Sequence, residues 1–126
     1  MKGLKRLFLL VAVCSLGALP AMGQTIVDCG DPPMDDPAIP EGRSATRAQM
    51  LEAVEAVKVY SAAVDDYLQC MDERAQTVFQ WMTEEQRTRW NEDTTDLHNH
   101  RVEIQKTMNE AIRTFNAASA ASGAEG

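Results

Sequence analysis

From Arg43 to Ser122 the chain contains neither proline nor glycine, and its apolar residues step by alternating fours and threes. That spacing keeps one stripe on one face at about 3.5 residues per turn, which points to long helix and away from strand. The first series is Met50, Val54, Val57, Ser61, Val64, Leu68, Met71, Ala75, Val78 and Met82, broken only by Ser61. The second is Trp90, Thr94, Leu97, Arg101, Ile104, Met108, Ala111, Phe115 and Ala118, with Thr94 and Arg101 as polar exceptions.

Met82 and Trp90 are eight residues apart where an unbroken heptad gives seven, so the stripe changes face between them. Thr83 followed by Gln86 forms a capping-box pattern at the same place, and Glu84 and Glu85 would favour the positive end of a new helix dipole. A short turn near Met82 and Thr83 follows. Pairing the two series antiparallel about it joins Met50 with Phe115, Val57 with Met108, Val64 with Arg101, Leu68 with Leu97 and Ala75 with Trp90. The fold class is therefore all-α: an antiparallel, coiled-coil-like two-helix hairpin with helix 1 over about 44–82 and helix 2 over about 83–118. One continuous helix is the competing reading, because no glycine or proline marks the turn. The small, polar residues 119–126 read as a disordered tail.

Three segments precede the hairpin. Residues 1–23 carry a basic start (Lys2, Lys5, Arg6), an apolar run from Leu7 to Leu19 and small residues at Ala21 and Gly23. This is the pattern of a secretory signal, cleaved near Gly23. Cys14 follows Val13 rather than a small residue, and the apolar run continues past it, which argues against lipid attachment. The run is too short for a comfortable span of about 20 residues, and no later segment is more apolar, so no stable membrane insertion is expected. Residues 24–43 are rich in proline and read as an extended arm. Thr46 with Gln49 forms a capping box after it, and Ser44 offers an alternative cap.

Removal of the signal leaves Cys29 and Cys70 as an even pair in an exported chain, most simply read as a disulfide. The geometry fits: the stretch from Ser44 to Cys70 at helical rise and the arm from Gly30 to Arg43 in polyproline conformation both measure about 40 Å. Cys70 lies on an outer stripe with Ala56, Val59 and Ala63, flanked by Tyr60 and Tyr67. Pro32, Pro33, Met34, Ile39 and Pro40 are expected to pack there, with Tyr60, Ala63 and Tyr67 as the arm-docking residues.

The whole chain has 12 basic and 19 acidic groups, and without residues 1–23 it has 9 and 19. An acidic chain of this kind lacks the concentrated basic face that nucleic acid requires. His98 and His100 point about 200° apart on a helix and cannot clasp one ion together. Asp93, Asp96, His100 and Glu103 do share a face, which supplies an alternative reading as a periplasmic metal-binding protein. Ser44, Ser61 and Ser119 lack a glycine-framed elbow, and Asp65-Asp66 and Glu84-Glu85 splay into solvent. A narrow hairpin should offer no deep pocket, so neither an enzyme, a cofactor nor a small-molecule substrate is expected. Ser61, Thr94 and Arg101 are candidates for setting register or partner choice. Arg101, facing Val64, must snorkel or meet a carboxylate such as Asp65.

Ile39-Pro40-Glu41-Gly42, Ala45-Thr46 with Met50, Ala56-Val57-Lys58-Val59-Tyr60 and Tyr67-Leu68-Gln69-Cys70 together resemble a group of small exported helical proteins of Gram-negative bacteria. The resemblance covers residues 29–70 and is loose over helix 2. It implies export, the disulfide and the hairpin, and carries no activity. The resulting expectation is an exported, periplasmic or secreted, non-catalytic helical binding or structural module. A protein partner or self-association through Phe79, Trp81, Val102 and Ile112 would complete its core.

Overall fold

The computed structural model describes Gly23 and residues 25–124. The segment expected to be the export signal lies, apart from Gly23, outside the described residues, as does the very end of the tail.

The chain forms two long helices, α1 (Arg47–Val78) and α2 (Glu84–Ala124), joined by a single 3-10 turn at Phe79–Trp81. Both helix starts use the residues that the sequence nominated. Thr46 Oγ1 accepts from Gln49 N at 3.2 Å while the Gln49 side chain accepts from Thr46 N at 2.8 Å. Thr83 and Gln86 repeat the exchange at 3.2 and 2.9 Å. Each reciprocal pair satisfies two amides that the first helical turn leaves without partners. Between the helices the chain tightens into the 3-10 turn, and Met82 adopts extended backbone. The chain reverses here with no glycine.

The helices pack against each other, and their partners run in opposite order: Ser61 meets Gln105, Asp65 meets Arg101 and Phe79 meets Trp90. Met50, Val57, Val64, Leu97, Ile104, Met108 and Ala111 of the two series are buried, joined by Ala53 and Tyr60 from the neighbouring stripe. Val64 is fully enclosed. Burial is uneven along the seam. Met71, Ala75, Val78, Met82 and Trp90, nearer the turn, are only half-buried.

The difference follows from the arm. Residues 25–41 form no helix or strand, and the Cys29–Cys70 disulfide fixes their start to α1. From Cys29 the arm runs away from the turn, over one of the two grooves between the helices, and gives the far half of the hairpin a third layer. Ile39 and Ala45 pack against the core cluster. Glu41 O then accepts from Ser44 N and Ala45 N, turning the chain into the Thr46 cap.

The arm lies beside the expected α1 stripe, with Pro33 and Pro37 lining a groove with Tyr60 and Ala63, and it also reaches α2 through Asp36 and Gly42. One expectation is corrected. Residues 119–124 are helical, because four alanines among residues 117–121 have the highest intrinsic helix propensity and continue α2 beyond the point where α1 begins. They are exposed through Gly123. Among the described residues, no helix is long and apolar enough to cross a membrane.

Candidate functional site

The arm creates a recess between itself and the two helices. A cleft of about 430 Å³ is walled by Pro32 and Met34 of the arm, Tyr67 and Met71 of α1, and Trp90, Asp93, Thr94, Asp96, Leu97 and His100 of α2. Its position has a simple origin. Leu97 closes the buried half of the seam and Trp90 begins the half-buried one, so the cleft opens where three-layer packing gives way to two. Its floor is apolar, and its α2 rim carries the carboxylates of Asp93 and Asp96, both exposed.

The two ends of the cleft are fixed. At one end His100 Nε2 lies 2.7 Å from Asp36 Oδ1, which ties the arm to α2. At the other, Trp90 packs edge-to-face on Phe79, with ring centroids 5.6 Å apart and planes at 85°. Such aromatic pairs contribute roughly 1 kcal/mol beyond their buried area. The pair locks the first full turns of α2 onto the 3-10 turn and holds the Trp90 side chain at the cleft wall. Thr94 turns its hydroxyl inward on its own helix, donating to Trp90 O at 3.0 Å, so it contributes a methyl rather than a free donor.

Asp36 also acts on Tyr60. This side chain is buried, and its hydroxyl has no hydrogen-bond partner. Burial, with the Asp36 charge adding to it, pushes the phenol above its ordinary pKa of 10.0. Tyr60 thus serves as an apolar wall, and proton transfer from it at neutral pH is disfavoured.

Gly42 anchors the arm's other end. It is buried against α2, and a Cβ there would overlap Thr114 Oγ1 and the Ala111 carbonyl oxygen and lie 2.9 Å from Phe115 N. Two of those three atoms are helix backbone. Only a residue with no side chain lets the arm come this close.

The remaining residues nominated from sequence take distinct positions. Ser61 Oγ accepts from Gln105 Nε2 at 3.0 Å across the seam. Arg101 pairs with Asp65, and its second Nη lies 3.1 Å from His98 Nδ1. The Arg101 side chain is 14% exposed and that of Asp65 61%, so the guanidinium leaves the seam sideways to reach a solvated carboxylate. Tyr67 stands at the junction of the cleft and the disulfide, and Ala63 lines the shallow grooves beside Pro33. Of the four residues expected on one face, Asp93, Asp96 and His100 line one cleft, while Glu103 lies on a separate groove and pairs with Lys106. The sequence does not reveal Trp90 as one of the cleft walls, Asp36 as the contact at its end, or Gly42 as the residue that seats the arm on α2. A hairpin alone was expected to offer no deep pocket; here the arm supplies a third wall to a cleft of about 430 Å³.

The metal reading finds no support in this geometry. Among the described residues, no three His, Cys, Asp or Glu side chains converge so as to hold an ion. His100 turns toward Asp36.

Comparison with protein-family models, with curated proteins and with solved structures yields no match.

Proposed function

We propose that the chain is an exported, non-catalytic binding module of the cell envelope, built as a coiled-coil-like hairpin with a disulfide-tethered extended arm. The observation that carries the reading is the Cys29–Cys70 bond and what it does. A disulfide in a chain of this size belongs to an oxidising compartment, which accords with the basic, then apolar, then small-residue pattern of residues 1–23. The bond also holds in place a segment with no secondary structure of its own, and that segment completes a recess.

A binding role is favoured over a catalytic one by the chemistry present. The cleft holds two carboxylates and a histidine already engaged by Asp36, with an otherwise apolar lining. No nucleophile stands beside a base there. A purely structural role would not need the recess.

The test is expression of the full chain in a Gram-negative bacterium, followed by osmotic-shock fractionation, N-terminal sequencing and thiol labelling. The reading predicts a periplasmic or released product whose N-terminus lies near Gln24 and whose thiols are blocked. Cytoplasmic protein with an intact leader and two reactive thiols would overturn it.

A further inference from the structure

We propose that the cleft between the arm, α1 and α2 binds a small organic cation with a compact apolar body, in the class of hydrophobic amines and quaternary ammonium ions. The inference rests on the reading of the chain as a binding module and specifies the chemistry of its ligand.

Three features select this class. The first is size and closure: about 430 Å³ falls within the usual range for small-molecule sites, and the recess has three walls. The Asp36–His100 contact and the Trp90–Phe79 pair bound its two ends. A through-groove for an extended peptide would need those ends open. The second is polarity. Pro32, Met71, Leu97 and the aromatic rings of Tyr67 and Trp90 offer apolar surface, which rewards a ligand with a hydrocarbon body and disfavours a sugar or a free phosphate. The third is the sign of the rim. Asp93 and Asp96 flank the opening on α2, and neither makes an ion pair among the described residues. The nearest α2 cations are occupied elsewhere, Arg89 by Glu85 and Arg101 by Asp65. Arg74 lies one turn beyond Met71 on α1 and is not part of the wall.

A cation in this position gains twice. Its charge faces two carboxylates, while the rings of Trp90 and Tyr67 attract positive charge through their quadrupoles. An anion of the same shape meets repulsion, and a neutral analogue keeps only the apolar contact. Met34, 73% exposed at the arm's edge, supplies an adaptable side chain to close over different bodies.

The experiment uses the purified oxidised protein and three probes of equal chain length: octyltrimethylammonium, octanol and octanoate. Binding is read by calorimetry and by fluorescence in Trp81→Phe, which leaves Trp90 as the reporter and alters a residue that is already exposed. The proposal predicts saturable binding of the ammonium ion, about tenfold tighter than octanol, and no measurable binding of octanoate. Asp93→Asn with Asp96→Asn, two exposed positions, should bring the ammonium ion to the level of octanol without altering helix content. Asp96→Lys should abolish ammonium binding and admit octanoate. Absence of binding, equal affinity for octanol and the ammonium ion, or discrimination that survives both variants would overturn the proposal. So would tight binding of a lysine-rich peptide with none of the ammonium ion. Because these measurements are made on purified protein, their failure is separable from a failure of the export reading, which the fractionation experiment decides.

Discussion

Replacing Gly42 with alanine should be among the most damaging single-methyl changes available in this protein. Where alanine can adopt the native backbone without strain, the same change stabilises by about 0.4–1 kcal/mol, because it narrows the unfolded ensemble. Gly42 does not use the left-handed backbone region, so alanine meets no backbone penalty there. Its cost is contact alone. The added Cβ would overlap Thr114 Oγ1 and Ala111 O and press on Phe115 N. The Thr114 side chain could rotate, at the loss of its 3.0 Å bond to Ala111 O, but the helix backbone cannot. The arm must therefore retreat by about 1 Å, enough to forfeit a quarter to a half of its dispersion contact with α2. Overpacking of this kind costs about 1–3 kcal/mol, which in a domain of this size lowers the melting temperature by roughly 4–8 °C per kcal/mol. Thermal and urea unfolding of the oxidised protein would measure it. Gly30→Ala is the informative companion, since its φ of 65° strains alanine while nothing lies within 4 Å of the new methyl. It should cost about 1 kcal/mol for that backbone reason. A Gly42→Ala protein as stable as the parent, or more so, would refute the close packing of the arm on α2.

Further expectations concern the seam and the staple. Tyr60→Phe removes a buried hydroxyl that has no partner, and should be neutral or stabilising by up to about 1 kcal/mol. The folded protein holds the Tyr60 proton more tightly than the unfolded chain does, so stability does not change with the titration of this group below the ordinary phenol pKa of 10.0 and falls as pH rises from there through the higher folded value. Melting curves taken across that alkaline range should fall less steeply for Tyr60→Phe. Arg101→Leu fills the seam and leaves behind Asp65, which is solvated, so denaturation should show a change between neutral and about 1 kcal/mol more stable, with unchanged mass by light scattering. A loss of self-association would instead assign Arg101 to partner choice. Cys29→Ser with Cys70→Ser opens a loop of 41 residues and should cost on the order of 4 kcal/mol by chain entropy, measured by urea unfolding.

The sequence made the hairpin legible because its signals were periodic or local. The eight-residue gap before Trp90 and the Thr83–Gln86 exchange both mark the reversal, and each depends on residues close together in the chain. The Arg101–Asp65 pair could be anticipated for the same reason: a charge falling in an apolar series must leave it, and the register names the nearest acid. The arm was legible only at its tether. An extended segment has no period to reveal which face it presents, so Asp36 gave no sign of reaching His100, and Gly42 gave none of its contact with α2. The third wall of the cleft is built by the arm, so it stayed hidden even though helical spacing had already brought Asp93, Asp96 and His100, with Glu103, to one side of α2. The extension of α2 to Ala124 was missed because small residues were read as loop, when alanine's low side-chain entropy cost favours helix even without packing.

Peptide mapping of the protein isolated from cells without reductant, after alkylation of any free thiols, tests the stapled arm most directly. One linked peptide pair joining Cys29 to Cys70 is expected, with neither cysteine alkylated. Recovery of both cysteines as separate alkylated peptides would contradict it, and the cleft built on that bond would fall with it.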